Sequence, residues 1–170
     1  IPLFWLSAVL LAGCGRQVTQ LDPDTLIHRA WERYRLGDFD LTVSDFEAAL
    51  ATVPEGDSRR PMILYGLGTV WNLRTPVTQQ KPDLAASFFH QAVEADPDGE
   101  LAAWSALALA RGQHLVPVGR EPDYAQVREA YQGVIDRYPG HLAADEAFIY
   151  LQSTVAATME TQASRQAVRD

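Results

Sequence analysis

Along residues 64–97, apolar and small side chains recur at helical spacing and then stop at a proline. Leu64, Leu67, Gly68 and Trp71 stand at i, i+3, i+4 and i+7, which places them on one face of a helix. Ala85, Phe88, Phe89, Ala92 and Val93 make a second such face. Pro97, after Asp96, ends it, because proline lacks the N–H and disfavours a helical residue before it. Gly68, Ala85 and Ala92 are small enough to let two helix axes approach to about 8–10 Å. Trp71, Phe88 and Phe89 fill the remaining space, each burial worth roughly 1.5–3 kcal/mol. The stretch predicts two helices packed on each other, and Gly66-x-Gly68 predicts close packing inside the first.

The same pattern recurs on both sides. Asp22-Pro23 predicts a helix start, with Asp as N-cap and Pro at the first position. Leu26, Ala30, Trp31 and Tyr34 follow, then a turn at Gly37-Asp38-Phe39. Thr42, Phe46, Ala49 and Pro54 take the places held by Ala85, Phe89, Ala92 and Pro97, although Arg29 and Arg33 stand at apolar positions. Downstream, Trp104, Leu107, Ala108 and Arg111 open a third copy, which Val127, Tyr131, Val134 and Pro139 close. Residues 110–120 contain Gly112, Pro117 and Gly119 and read as a loop. The second and third copies both enter their second helix through Pro-Asp. The closing prolines are 43 and 42 residues apart. After Gly140, Ala143, Ala147, Tyr150, Leu151, Thr154 and Ala157 share one stripe and predict a last helix, and the sequence turns polar after Met159.

Leu-Gly, aromatic, Ala, Phe and Pro at these offsets resemble the tetratricopeptide (TPR) repeat, whose period is about 34 residues. The excess length falls in turns, which stacked helical hairpins tolerate, so TPR-like describes the repeats better than strict TPR. The resemblance implies an all-α fold, an α-solenoid of about three helical hairpins with a C-terminal capping helix. The expected repeats cover residues 22–54, 61–97 and 100–139, with a cap over 141–161 and a polar tail over 162–170. The competing reading is an ordinary two-helix hairpin in an unrelated bundle.

The N-terminal end carries a different signal. Residues 1–13 hold no side-chain charge and end Leu11-Ala12-Gly13-Cys14. Thirteen mostly apolar residues are too few for a bilayer core, which needs about 20, and small residues before a cut site suit a signal protease. The motif resembles the lipobox of bacterial lipoproteins. That resemblance implies removal of residues 1–13, a covalent lipid on Cys14, and a tether over residues 14–21. Two or three acyl chains would hold the chain far more firmly than one. The sequence begins at Ile1 without Met or a basic region, so the expectation is an incomplete precursor. Upstream residues that lengthen the run into a transmembrane anchor, and a core helix with an incidental cysteine, are the alternatives. Gly15 stands where an Asp in Gram-negative lipoproteins retains the protein at the inner membrane, so the resemblance implies the outer membrane, facing the periplasm.

Charge narrows the partners. The net charge is −8, from 14 basic and 22 acidic residues, and Lys81 is the single lysine. Without a basic block the phosphate neutralisation that drives nucleic-acid binding is missing, and so is a basic patch for acidic lipid headgroups. His28, His90, His114 and His141 are scattered singly, without metal-ligand spacing, so neither a metal nor a cofactor is expected beyond the lipid on Cys14. No Gly-x-Ser-x-Gly elbow or phosphate loop occurs. Glu94, Asp96, Asp98 and Glu100 surround a turn but lack calcium-loop spacing. Residues 130–147 also resemble TPR lipoproteins and periplasmic proteins of the bacterial envelope, of the outer-membrane assembly and Tol–Pal type.

These readings combine into an expectation of a non-enzymatic, lipid-anchored envelope scaffold. Its concave face would bind a peptide segment of another envelope protein, because solenoid curvature creates such grooves. Trp31, Tyr34, Tyr65, Asn72, Trp104 and Arg111 are the candidate lining residues. Aromatics at such positions also serve as core. The rival is an accessory or hydrolytic enzyme that uses Glu94 and Asp96. The oligomeric state stays open.

Overall fold

A computed structural model describes residues 21–167, and side chains up to residue 159. The expected signal segment, Cys14 and the expected tether up to residue 20 lie outside the described residues. The described chain is all-helical, with no strand among the described residues. The helices are α1 (Pro23–Arg35), α2 (Phe39–Leu50), α3 (Arg60–Leu73), α4 (Pro82–Ala95), α5 (Glu100–His114), α6 (Tyr124–Arg137) and α7 (Leu142–Ala167), with one 3-10 turn at Val77–Gln79.

Local chemistry sets the helix ends. Asp22 accepts a hydrogen bond from the Thr25 N–H at 3.0 Å, and Pro23 follows it. Asp123 caps α6 by accepting from Ala125 and Gln126. The two Pro-Asp pairs therefore differ: Pro82-Asp83 lies inside the first turn of α4, whereas Asp123 precedes α6. His141 Nδ1 accepts from the Ala143 N–H at 3.0 Å and starts α7. Pro54, Pro97 and Pro139 each fall just beyond the end of α2, α4 and α6.

Two expected boundaries move. Residues 110–114 were expected in a loop, yet α5 continues through Gly112 to His114. One helical glycine costs only about 1 kcal/mol, and buried Leu107 and Ala110 anchor the last turns of α5. The loop occupies residues 115–123 instead. Likewise the α7 backbone runs past residue 161 to Ala167, since polar residues after Met159 do not themselves stop a helix.

Each helix packs against its neighbours in the chain, and α1 also touches α3, α3 touches α5, and α5 touches α7. The even-numbered helices have no comparable contact with one another. Buried side chains form one cluster on α1, α2 and α3, around Phe46, and another on α5, α6 and α7, around Tyr131. Between them, α4 buries Ala85, Phe89 and Ala92. Tyr138 donates from its hydroxyl to the Pro97 carbonyl at 3.2 Å, tying the end of α6 to the turn before α5.

The expected close packing at Gly66 and Gly68 is present. A β-carbon on Gly66 would meet the Phe46 ring of α2, and one on Gly68 would meet the Phe89 ring of α4. Helix α3 is thus gripped by equivalent aromatics from both sides. Its end is fastened by Arg74, which is buried and donates to Gln79 and to Asp40 near the start of α2. The Arg74 guanidinium and the Lys81 ammonium both lie over the Trp71 ring, at 5.1 and 4.4 Å from its centroid.

Candidate functional site

The mutual contacts of α1, α3, α5 and α7 bring several of the candidate residues to neighbouring positions. Trp31 and Tyr34 of α1 meet edge to face, with ring centroids 5.7 Å apart. Trp31 lies 6.5 Å from Tyr65 of α3. All three rings are half-buried: Trp31 also stands on the buried Phe46 ring at 5.2 Å, and Tyr65 faces Phe89 at 5.9 Å. They are core on one side and surface on the other.

Arg111 of α5 continues this row. Its guanidinium is 3.7 Å from the Glu146 carboxylate of α7 and lies over the Tyr150 ring at 5.3 Å. Tyr150 stacks on Tyr131 at 5.5 Å with an interplanar angle of 18°. Burial pushes the Tyr65 phenol up, while its hydrogen bond with Thr69 and the positive charge of Arg111 pull it down. The Tyr131 phenol is pushed up to about 12, by burial first and then by Tyr150. Both phenols therefore stay neutral and hydrogen-bonding at ordinary pH. The surface made by Trp31, Tyr34, Tyr65, Arg111, Glu146 and Tyr150 offers flat aromatic edges, hydroxyl groups and one compensated ion pair, a combination suited to apolar and amide groups rather than to a strong charge.

Glu146 and Tyr150 were not among the expected lining residues, because α7 read as a cap. The signal for them was positional: both lie in the first three turns of α7, beside the row set by Arg111. Two expected residues fall elsewhere. Trp104 is two turns back along α5 from Arg111, with its ring 5.6 Å from His141. Asn72 lines a cleft of about 260 Å³ between α3, α4 and α5, with Ala85 and Phe89 in its wall and Asp83, His90 and Gln113 around it.

The histidines have separate settings. His28 and His90 are exposed, His114 Nδ1 lies 3.1 Å from the Tyr131 hydroxyl, and His141 caps α7. Among the described residues no group of three or more His, Cys, Asp or Glu is arranged to hold a metal ion. At the acidic turn, Glu94, Asp96, Asp98 and Glu100 are exposed, and the Asp96 carboxylate occupies the place where a β-carbon on Gly99 would lie. Among the described residues no helix is long and apolar enough to cross a membrane. No protein-family model matches the chain, and no curated protein matches it.

Proposed function

We propose that this protein is a lipid-anchored scaffold of the bacterial envelope whose TPR-like α-solenoid docks a peptide segment of another envelope protein on the row of odd-numbered helices. The observation that carries the docking reading is the continuity of Trp31, Tyr34, Tyr65, Arg111, Glu146 and Tyr150 along four helices. In a stack of helical hairpins, first helices line the inner face, and here α1, α3, α5 and α7 are the helices that touch in series. Half-buried tyrosines serve such a face well, because each offers a rigid apolar ring and a hydroxyl at small entropic cost. The anchor rests on the resemblance of Leu11-Ala12-Gly13-Cys14 to a lipobox, and Cys14 is its lipid-bearing residue.

A photo-crosslinking amino acid placed at Tyr65 in the native cell tests the docking face. The expected result is one defined crosslinked envelope protein, absent when the probe sits at exposed Gln91 of α4 and lost when Arg111→Glu is added. Equal crosslinking from Gln91 and Tyr65 would place the partner elsewhere. The anchor is tested separately by intact mass of membrane-expressed protein: an unmodified Cys14 removes the lipoprotein reading and leaves the docking face standing.

A further inference from the structure

We propose that the cleft between α3, α4 and α5 takes a basic side chain, arginine or lysine, of the docked peptide, its alkyl stem on the apolar wall and its cation on Asp83. The inference rests on the docking reading above and adds to it the charge of the partner. The cleft adjoins the row of odd-numbered helices. Asn72 stands seven residues, about two turns, beyond Tyr65 on the same side of α3. Gly112, also in the lining, follows Arg111 on α5.

Size and lining point to a side chain. The volume of about 260 Å³ is below the roughly 300–1,000 Å³ usual for small-molecule sites. Ala85, Ala86, Phe89 and Leu109 give the cleft an apolar wall, which suits the methylene stem of a long cationic side chain. Its polar groups are Asn72, which is half-buried, and Asp83, His90 and Gln113, which are exposed. Each of the four can present an acceptor. None of them is engaged by another side chain among the described residues.

Electrostatics select a cation. Two basic residues lie close in sequence to the lining, but both are already placed: the Lys81 ammonium over the Trp71 ring, and Arg111 on Glu146 and Tyr150. Neither neutralises Asp83. Asn72, Gly112 and Gln113 belong to the last turns of α3 and α5, and helix C-termini carry partial negative charge. Those two ends and the Asp83 carboxylate outweigh the one positive end, that of α4 at Pro82. A neutral occupant would strip water from the carboxylate without replacing it, and an anion would be repelled. The whole chain, with a net charge of −8 and a single lysine, draws the same kind of partner over a longer range.

Amide chemical shifts of the isotope-labelled full chain, read at Gly112 and His90, test the site at about pH 8, where an ordinary imidazole is neutral. The probes are two capped pentapeptides that differ only at the central residue, arginine in one and citrulline, its uncharged isostere, in the other. The arginine peptide is expected to shift both amides saturably and to bind about three- to fivefold more tightly, the upper range for an exposed ion pair. Asp83→Asn should bring it down to the level of the citrulline peptide. Gly112→Leu fills the cleft from a position where an added β-carbon meets nothing within 4 Å. It should abolish the shift at His90 and leave the helical circular dichroism unchanged. Equal binding of the two peptides overturns the proposal, as does a preference for arginine that survives Asp83→Asn or Gly112→Leu. Binding of n-butylguanidinium without binding of the arginine peptide overturns it too, because the site would then serve a free organic cation. The peptides report on the cleft without the native partner. Arginine preference without a crosslink at Tyr65 therefore removes the docking row and keeps the cation site, and a crosslink without that preference does the reverse.

Discussion

The ring of Phe89 in α4 lies directly against Gly68 of α3, so that a β-carbon on Gly68 would stand 2.7 Å from two of its ring carbons. Phe89 is 3% exposed and also packs against the Tyr65 ring at 5.9 Å, a contact it would lose by stepping aside. Gly68→Ala is therefore expected to destabilise the fold by about 1–3 kcal/mol through overpacking, more than offsetting the better helix propensity of alanine. Gly112 is the internal control. A β-carbon there meets nothing within 4 Å, so Gly112→Ala should stabilise by about 0.5–1 kcal/mol. Chemical-denaturation midpoints that move in opposite directions confirm the pair. Equal shifts would mean that α3 and α4 can separate without cost.

Asp45 holds α2 to α1 through two guanidinium groups. Its carboxylate accepts from Arg29 Nε at 2.8 Å, Arg29 Nη2 at 2.5 Å and Arg33 Nη1 at 2.5 Å. The Asp45 side chain is 5% exposed, against 39% for Arg29 and 25% for Arg33. Asp45→Ala leaves both arginines without their acceptor, but each can still reach water, so the expected loss is about 1.5–3 kcal/mol, below the 3–5 kcal/mol of a fully buried pair. The triple replacement Asp45→Leu, Arg29→Met, Arg33→Met should recover most of that loss. Urea unfolding of the single and triple variants decides it. A single variant within half a kcal/mol of the parent would show that the apolar contacts of α1 and α2 suffice alone.

That network marks where the pattern along the chain stops being informative. Arg29 and Arg33 look like faults in a repeat, because their meaning lies on α2, 16 and 12 residues away respectively. Gly66, Gly68 and the three closing prolines were legible, since each acts through its own backbone or an adjacent helix. Gly112 misled because local propensity counts one glycine as a break, while the buried residues around it outweigh that cost. The row proposed for docking was half legible. Trp31, Tyr34, Tyr65 and Arg111 sit at repeat positions, whereas Glu146 and Tyr150 belong to a helix whose stripe suggested a cap. Its outward Phe148 and Ile149 fall outside the buried stripe, and only the packed structure shows which face is open.

Tyr131 makes stability depend on alkaline pH. Its side chain is fully buried, and its phenol is pushed up to about 12, mainly by desolvation of the phenolate. In the unfolded chain a tyrosine titrates near 10. A raised folded value means the contribution is fully present below about pH 10 and is lost as pH rises toward 12, on the order of 2–3 kcal/mol in all. Tyr34 and Tyr65 are raised in the same direction, also by burial. Stability measured from pH 9 to 12 should fall, and Tyr131→Phe should flatten most of that fall while leaving the residual slope of the other two. A slope unchanged in the phenylalanine variant would show that Tyr131 does not stay protonated within the core.

Arg111 must be dispensable for folding if it serves the docking face. Its ion pair with Glu146 spans 3.7 Å, with the two side chains 41% and 36% exposed. Pairs this open contribute about 0–1 kcal/mol, and the guanidinium over Tyr150 at 5.3 Å adds at most a similar exposed cation–π term. Arg111→Ala is therefore expected to lower stability by about 1 kcal/mol or less, with the Tyr131–Tyr150 stack kept. Thermal unfolding checks the first point, and near-ultraviolet circular dichroism of the tyrosines checks the second. A loss of 3 kcal/mol or more would make Arg111 a structural clasp between α5 and α7 (a cost on the scale of breaking a buried pair). In that case a crosslink at Tyr65 lost with Arg111→Glu would report unfolding, and the docking row would need testing through Glu146 and Tyr34 instead.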